Sequence, residues 1–503
     1  MFYFRRLTLF LSLFFAVGLT LSGCDTRNRN IGSPELAAGD FGRDGSYSGS
    51  EGDYYPGEEQ FGDLVYNNFV NTNEDNLSTF GIDVDTGSYT FGRKKINEGQ
   101  LPPPASVRVE EYINYFRQDY PPPDDNPFAV YVDGARSPFR GDEFHLLRIG
   151  LQARNVIDNT KPWNLTFLID ISGSMTSRLD LVKQSLYILI DEMREGDLIS
   201  VCTYAGGVRT ILPPTSLSDA DRESIKGMIG DLQAGGSTAM ASGLQNAYQI
   251  NREGFLPDGV NRILVCSDGD ANVGPTSHDE MFELIRSYVE EGITLSTLGF
   301  GQGNYNDYGM EQLADMGNGN YYYIDSLTEA ARLFTEELVG VMEVIAKDVK
   351  VQVEFNPEAV RRYRLIGYEN RAIHDDDFKD ETTDAGEIGA GHRVTALYEI
   401  ELVDGVSGDV GTVHLRYKQP SGHTDIPLDV VIPRHAVTAE FDQASRRFQF
   451  TAGVAEFAEI LRESPYVNTR FADVEAIVEN AVSGGDDRDV EFLELVRRAM
   501  RID

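Results

Sequence analysis

Between Trp163 and Ala346 two hydrophobic patterns alternate. Short runs that are apolar at nearly every position ("NLTFLIDIS", "DLISVCTYA", "RILVCSDG", "ITLSTLGFG", "YYYID") are separated by stretches of helical periodicity. The first such stretch sets Val182, Leu186, Leu189 and Met193 on one face; "SDADRESIKGMIGDLQ", "GLQNAYQI", "SHDEMFELIRSYVEEG" and "MEQLADMG" follow. Strands this apolar need both faces covered, and the intervening helices supply the cover. The pattern therefore predicts a doubly wound α/β unit around a mostly parallel sheet. Ser277 with Glu280, and Ser326 with Glu329, have capping-box spacing at helix starts, and Gly196 and Gly292 follow helix ends.

The flanks read differently. Ahead of the α/β unit come "STFGIDVDTGSY", a helical "RKKINEGQ", "VRVEEYINYF" between two proline breaks, and the strand-like "FAVYVDGARSP" and "FHLLRIGLQAR". Behind it "DVKVQVEF", "YRLIGYEN", "RVTALYEIELV", "GTVHLRYKQP" and "IPLDVVIP" alternate as strands. Strands from the two sides are expected to pair into one β-sandwich, with the α/β unit inserted at its edge. "FQFTAGVAEFAEILRES", "ADVEAIVENAV" and "DVEFLELVRRAM" predict a carboxyl-terminal helical set. The expected division is a leader over 1–24, a tether over 25–73, an amino-terminal block with strands over 74–160, the α/β domain over 161–346, a β-rich domain over 347–435 and helices over 436–503.

A chain of 503 residues is long for one core. Its 44 Lys and Arg against 81 Asp and Glu leave a net charge of −37, which repels polyanions and excludes nucleic acid as a partner. Cys202 and Cys266 lie in apolar runs with no CxxC or Cys/His spacing, so they read as buried small hydrophobes. At the amino terminus Arg5 and Arg6 precede an apolar run from Leu7 to Leu21, and "LSGC" ends at Cys24. That layout is a signal peptide. It resembles the lipobox of bacterial lipoproteins, which implies lipid on Cys24 and a mature protein anchored in the cell envelope, facing periplasm or surface. The Gly, Ser, Asp and Tyr-rich stretch that follows buries too little apolar area to fold and reads as a tether.

Candidate chemistry sits at the strand ends of the α/β unit, where such sheets bind ligands. Asp170 ends its first strand, with Ser172 and Ser174 on the following loop; "GGSTAM" offers Thr238 and "CSDGD" offers Asp268. Two carboxylates and three hydroxyls, with no imidazole or thiolate, suit a hard divalent ion such as Mg²⁺, or Mn²⁺ or Ca²⁺. The same residues could alternatively form a capped turn, Asp170 capping the next helix and the serines satisfying loop amides. The order Asp170-x-Ser172-x-Ser174, Thr238, Asp268 resembles the metal-ion-dependent adhesion site of the von Willebrand factor type A family. The resemblance implies that the hydroxyls ligate the ion, that the aspartates act largely through water, and that a partner protein's Asp or Glu completes the octahedron. The full arrangement resembles bacterial lipoproteins in which a type A domain is bracketed by a block such as "STFGIDVDTGSY" and a carboxyl-terminal domain of unknown function.

The expected function is thus non-enzymatic binding of a protein partner through a metal-bridged carboxylate. A second reading is an assembly or regulatory subunit for an envelope ATPase or other enzyme. A third takes Asp83 and Asp85 of "IDVDTGS" as a haloacid-dehalogenase-like phosphatase motif, but "NLSTFGI" is a poor strand for that fold, and both aspartates are expected to be turn or surface groups. Asp270 and Asn272, and Asn306 and Asp307 of "GQGNYNDYGM", read as turn formers.

Overall fold

A computed structural model of the protein describes residues 59, 61–124, 126–155, 161–269, 278–301, 305–337, 340, 342–383, 385–420, 422–482 and 486–503. Cys24, Asp270, Asn272 and Ser277 lie outside the described residues. In chain order the amino-terminal block contributes β1 (Val70–Asn71), β2 (Leu77–Gly81), α1 (Gly87–Asn97), α2 (Val109–Asn114), β3 (Phe128–Arg136) and β4 (Phe144–Ala153). The α/β unit then runs through β5 (Trp163–Asp170), α3 (Leu179–Glu192), β6 (Leu198–Tyr204), β7 (Val208–Ser216), α4 (Arg222–Gly230), α5 (Met240–Glu253) and β8 (Val260–Ser267). It closes with α6 (His278–Glu290), β9 (Ile293–Gly299), α7 (Asp307–Met316), β10 (Tyr321–Tyr323) and α8 (Leu327–Ala331), which continues as a π turn over Arg332–Glu337. The chain ends through β11 (Val344–Phe355), β12 (Val360–Ile366), β13 (Ile388–Gly389), β14 (Arg393–Leu402), β15 (Gly411–Lys418), β16 (Ile426–Ile432), α9 (Arg446–Leu461), α10 (Phe471–Ala481) and α11 (Asp487–Ile502).

The α/β sheet has the order β10-β9-β8-β5-β6-β7 and is parallel except for β7, which pairs antiparallel with β6. β7 was not foreseen: "VRTILPPTS" carries two prolines, which an edge strand tolerates because one side makes no ladder bonds. All eight residues of β5 are buried, because one core packs Phe167 and Ile169 beneath α3 and another packs Leu168 beneath α5. Cys202 and Cys266 are buried and unbridged, as expected.

The flanking strands meet as predicted. β4 pairs with β14, and β2 with β11, so strands from both sides of the insertion share two antiparallel sheets, β1-β12-β14-β4-β3 and β13-β11-β15-β16. Val351, Val353, Ile149, Leu151, Val394 and Ile400 fill the space between them. The opposite face of the first sheet is covered by α9, α10 and α11 together with α1 and α2, through Phe116, Phe450, Phe457 and Phe492. Double coverage explains why all ten residues of β4 are buried. Among the described residues no helix is long and apolar enough to cross a membrane.

Two expectations fail and a third holds only in part. "NLSTFGI", read as a poor strand, contains β2, which pairs along β11. The expected tether does not run to residue 73, since β1 pairs with β12 and the Tyr66 hydroxyl donates to the Arg462 carbonyl at 2.6 Å. Asp83 and Asp85 do form a turn, Asp83 Oδ1 accepting the Asp85 amide at 2.9 Å, but they are not surface groups: they are 4% and 3% exposed, each 3.5 Å from Arg371, and Asp85 Oδ1 accepts the Tyr321 amide. Their loop is roofed by α2 and α7, which add Glu110, Glu111, Asp307, Glu311 and Asp315 around Arg108 and Arg371. The α/β succession a phosphatase needs does not follow this loop; α1, α2 and the antiparallel β3–β4 pair do. Asp307 likewise is the first residue of α7, paired with Arg108 at 2.6 Å, while Asn306 caps that helix by accepting the Gly309 amide.

This seam makes stability depend on pH. Burial, reinforced by Glu369 and Asp83, pushes Glu110 up to about 7; burial also pushes Glu311 to about 7 against the pull of Arg108 and Arg371, and Glu456 to about 7. A carboxyl whose folded value is raised loses its contribution as pH rises through that value, because the unfolded chain gives up the proton earlier. His392, lowered by burial to about 4, acts oppositely but chiefly below its ordinary 6.5. From pH 6.5 to 8 the three carboxyls outweigh the opposite contributions of His392 and of Lys94, which burial lowers to about 8, so unfolding free energy is expected to fall by about 1–2 kcal/mol, read by urea denaturation at the two pH values.

Candidate functional site

In the α/β sheet β5 lies between β8 and β6, where the strand order reverses, and this is where a doubly wound sheet opens a crevice at its carboxyl edge. Asp170 is the last residue of β5 and fully buried; Asp268 directly follows β8, also fully buried. The two chain segments that carry them are thus adjacent by topology rather than by sequence.

The loop after Asp170 is fixed by short-range bonds. Asp170 Oδ1 accepts the Ser172 amide at 2.8 Å, and Oδ2 accepts the Ser267 hydroxyl at 3.0 Å. The Ser172 and Ser174 hydroxyl oxygens stand 3.0 Å apart. Asp170 thus satisfies a loop amide but does not cap α3, which has no side-chain cap, and the two serines hydrogen-bond to each other, Ser172 buried and Ser174 half-buried. Burial, with the charge of Asp268 adding to it, pushes the Asp170 carboxyl up to about 6 although Ser172 and Ser267 donate to it.

The third segment arrives through two backbone bonds: the Gly235 amide donates to the Ile171 carbonyl at 2.8 Å and the Gly173 amide to the Gly236 carbonyl at 3.2 Å. Gly236 has φ +98°, a left-handed conformation that glycine adopts without strain, so "AGGST" can turn back against the first loop. Thr238 follows two residues later, half-buried, just before α5. Gly269, with φ +72°, has a second reason to be glycine, since a Cβ there would lie 2.7 Å from the Asn306 carbonyl oxygen.

Two participants escaped sequence reasoning. Arg178 Nη1 donates to Asp268 Oδ2 and to the Ser174 carbonyl, both at 2.8 Å, linking the loop after β5 to the segment after β8. Ser267 joins β8 to Asp170. Ser267 was legible as the neighbour of Asp268; Arg178, four residues beyond Ser174, becomes visible only once the strands are ordered.

Comparison with known proteins places this arrangement. The von Willebrand factor type A domain family matches residues 164–336, a family described as von Willebrand factor matches residues 55–148, and one described as "Uncharacterized protein YfbK, C-terminal" matches 340–408 and 403–502. "Uncharacterized protein YfbK" of Escherichia coli (strain K12) is 37% identical over 88% of this chain and 81% of its own length. The chain belongs to the YfbK family. The YfbK chain and this one share the whole sequence of parts, a type A domain between an amino-terminal block and a carboxyl-terminal domain. More remote from the YfbK family, human inter-alpha-trypsin inhibitor heavy chain H3 is 28% identical over 38% of this chain and 22% of its own. Among solved structures, von Willebrand factor type A from Catenulispora acidiphila is 18% identical, covering 73% of this chain and 88% of that one with a TM-score of 0.43. The ArnB paralog VWA2 from Sulfolobus acidocaldarius is 16% identical over 74% and 98%, with a TM-score of 0.37. A type A domain in this position suggests a role in protein–protein interaction or adhesion.

Proposed function

We propose that this protein is a lipid-anchored envelope protein that binds another protein through a divalent ion held by Ser172, Ser174 and Thr238, with Asp170 and Asp268 behind them. The observation that carries the reading is the 3.0 Å separation of the Ser172 and Ser174 hydroxyl oxygens. Adjacent ligands of an octahedral Mg²⁺ with bonds of about 2.0–2.1 Å stand about 3 Å apart, so the two oxygens, hydrogen-bonded to each other here, already have that spacing and would need only to turn their hydroxyl protons away to share one ion. Asp170 supplies negative charge that neutral hydroxyls lack, while Asp268 shares its charge with Arg178. Both already have hydrogen-bond donors on them, which suits carboxylates that hold ligands and bound water in place rather than bind the metal directly. Bound there, the ion would supply a directional attraction for an acidic side chain.

Nothing in this reading asks for bond-making, so the protein is proposed to be a binder and not an enzyme. The anchor is proposed to be lipid on Cys24. The test is capture from detergent-solubilised envelopes with the tagged full chain as bait. A partner is expected in Mg²⁺ and lost both in EDTA and with Asp170→Ala; a partner retained equally in all three conditions would refute metal bridging.

A further inference from the structure

A cavity of about 520 Å³ lies where the amino-terminal block, the end of the α/β unit and the sandwich meet. Its wall includes Asn114, Gln152, Tyr322, Glu337, His392 and Arg393. Most of these are tied up. Asn114 donates to the Asp83 carbonyl and accepts the Thr395 amide, and Gln152 donates to the Ala153 carbonyl at 2.9 Å.

Arg393 is different. The half-buried guanidinium has no carboxylate within 4 Å and no hydrogen-bond partner among the described residues. Arg93, Arg108, Arg332, Arg364 and Arg371 each have a carboxylate within 2.8 Å. The acidic groups on the same wall are already engaged: Glu337 pairs with Arg332 at 2.5 Å, and Glu336 with Arg117 at 2.8 Å and Arg488 at 3.7 Å. In a chain with a net charge of −37, a half-buried cation that touches no carboxylate and feels Glu337 only at a distance is a costly arrangement. Two further polar groups on the wall lack partners. Tyr322 is 3% exposed and its hydroxyl makes no hydrogen bond, and neither does His392 Nδ1.

We propose that this cavity binds a small organic anion, its carboxylate or phosphate pairing with Arg393 while Tyr322 and His392 meet its uncharged polar atoms. The volume lies within the range of small-molecule sites, about 300–1,000 Å³. Glu336 and Glu337 on the wall disfavour a polyanion such as a polyphosphate. Burial lowers His392 to about 4, so at neutral pH it contributes a neutral ring with one N–H and one lone pair. The reading is independent of the divalent-ion site, which shares no residue with this wall.

The test uses the full chain and three probes, sodium benzoate, succinate and phenyl phosphate, against sodium chloride at equal ionic strength. A ligand that binds only the folded state raises the unfolding midpoint in a saturable way. At least one probe is expected to do so at millimolar concentration, and whether benzoate and succinate or phenyl phosphate acts separates carboxylate from phosphate. Arg393→Met should abolish the response and, having removed an unmatched cation, unfold no earlier than the parent in chloride. Tyr322→Phe should weaken it several-fold. No saturable rise with any probe, or an undiminished rise in Arg393→Met, would overturn the proposal. An Arg393→Met chain that fails to fold would overturn it too, by showing that the guanidinium serves the fold.

Discussion

Glu329→Ala is expected to cost about 3–5 kcal/mol of unfolding free energy, the loss typical of removing one partner from a buried ion-pair cluster, although Arg93 keeps Asp325 and Arg332 keeps Glu337. Glu329 is 3% exposed, and three groups converge on its carboxylate: Arg93 at 2.8 Å, Arg332 at 2.5 Å and the Tyr115 hydroxyl at 2.9 Å. Burial alone would raise its pKa, but Arg332 and Arg93 outweigh that and hold it down at about 2. The two arginines come from different parts of the fold. Arg93 lies on α1 of the amino-terminal block and also grips Asp325 at 2.7 Å, while Arg332 belongs to the turn that follows α8. Removing Glu329 leaves both guanidinium groups short of a partner and loosens the seat of α1 on the α/β unit. Urea denaturation checks it, with Glu491→Ala as the control: Glu491 meets Arg93 at 3.4 Å but its side chain is 47% exposed, so its loss should cost less than about 1 kcal/mol. Equal costs for the two variants would contradict this account.

Much of this organisation was legible in the sequence, for a definable reason. Periodicity reports how many faces of an element are covered. The all-apolar run around Phe167 could therefore be read as a central parallel strand, and the alternation around Val351 and Val353 as a sandwich strand. Pairing of β4 with β14 across about 250 residues was an inference from what must cover what, and it holds; β2 was missed because "LSTFG" is too polar to read as a strand until β11 lies beside it. Asp83 and Asp85 misled because two aspartates beside a glycine ordinarily mark an exposed turn; what buries them is Arg371 and α7, distant in sequence. β7 was hidden by its prolines, and Arg178 by the absence of any local pattern tying it to Asp268. Motif residues were readable because their spacing is local; their supporting partners were not, because those are chosen by the fold.

Asp170→Ala is expected to weaken divalent-ion binding by about 10–100-fold. Asp170 does three things at once. It supplies a negative charge beneath the hydroxyls, fixes the Ser172 amide with one oxygen, and ties the loop to β8 through Ser267 with the other. Alanine removes all three, so Ser172 and Ser174 lose both their orientation and the charge that makes neutral hydroxyls acceptable to a cation. Asp170→Asn should fall between the two, since an amide can keep the Ser172 contact without the charge.

The most direct measurement is a titration of the full chain and of Asp170→Ala with Mn²⁺, followed by electron paramagnetic resonance of the free ion and competed with Mg²⁺. The account predicts one site in the parent that Mg²⁺ displaces and that the variant lacks. Equal Mn²⁺ binding by both chains, or none by the parent at millimolar ion, would contradict it.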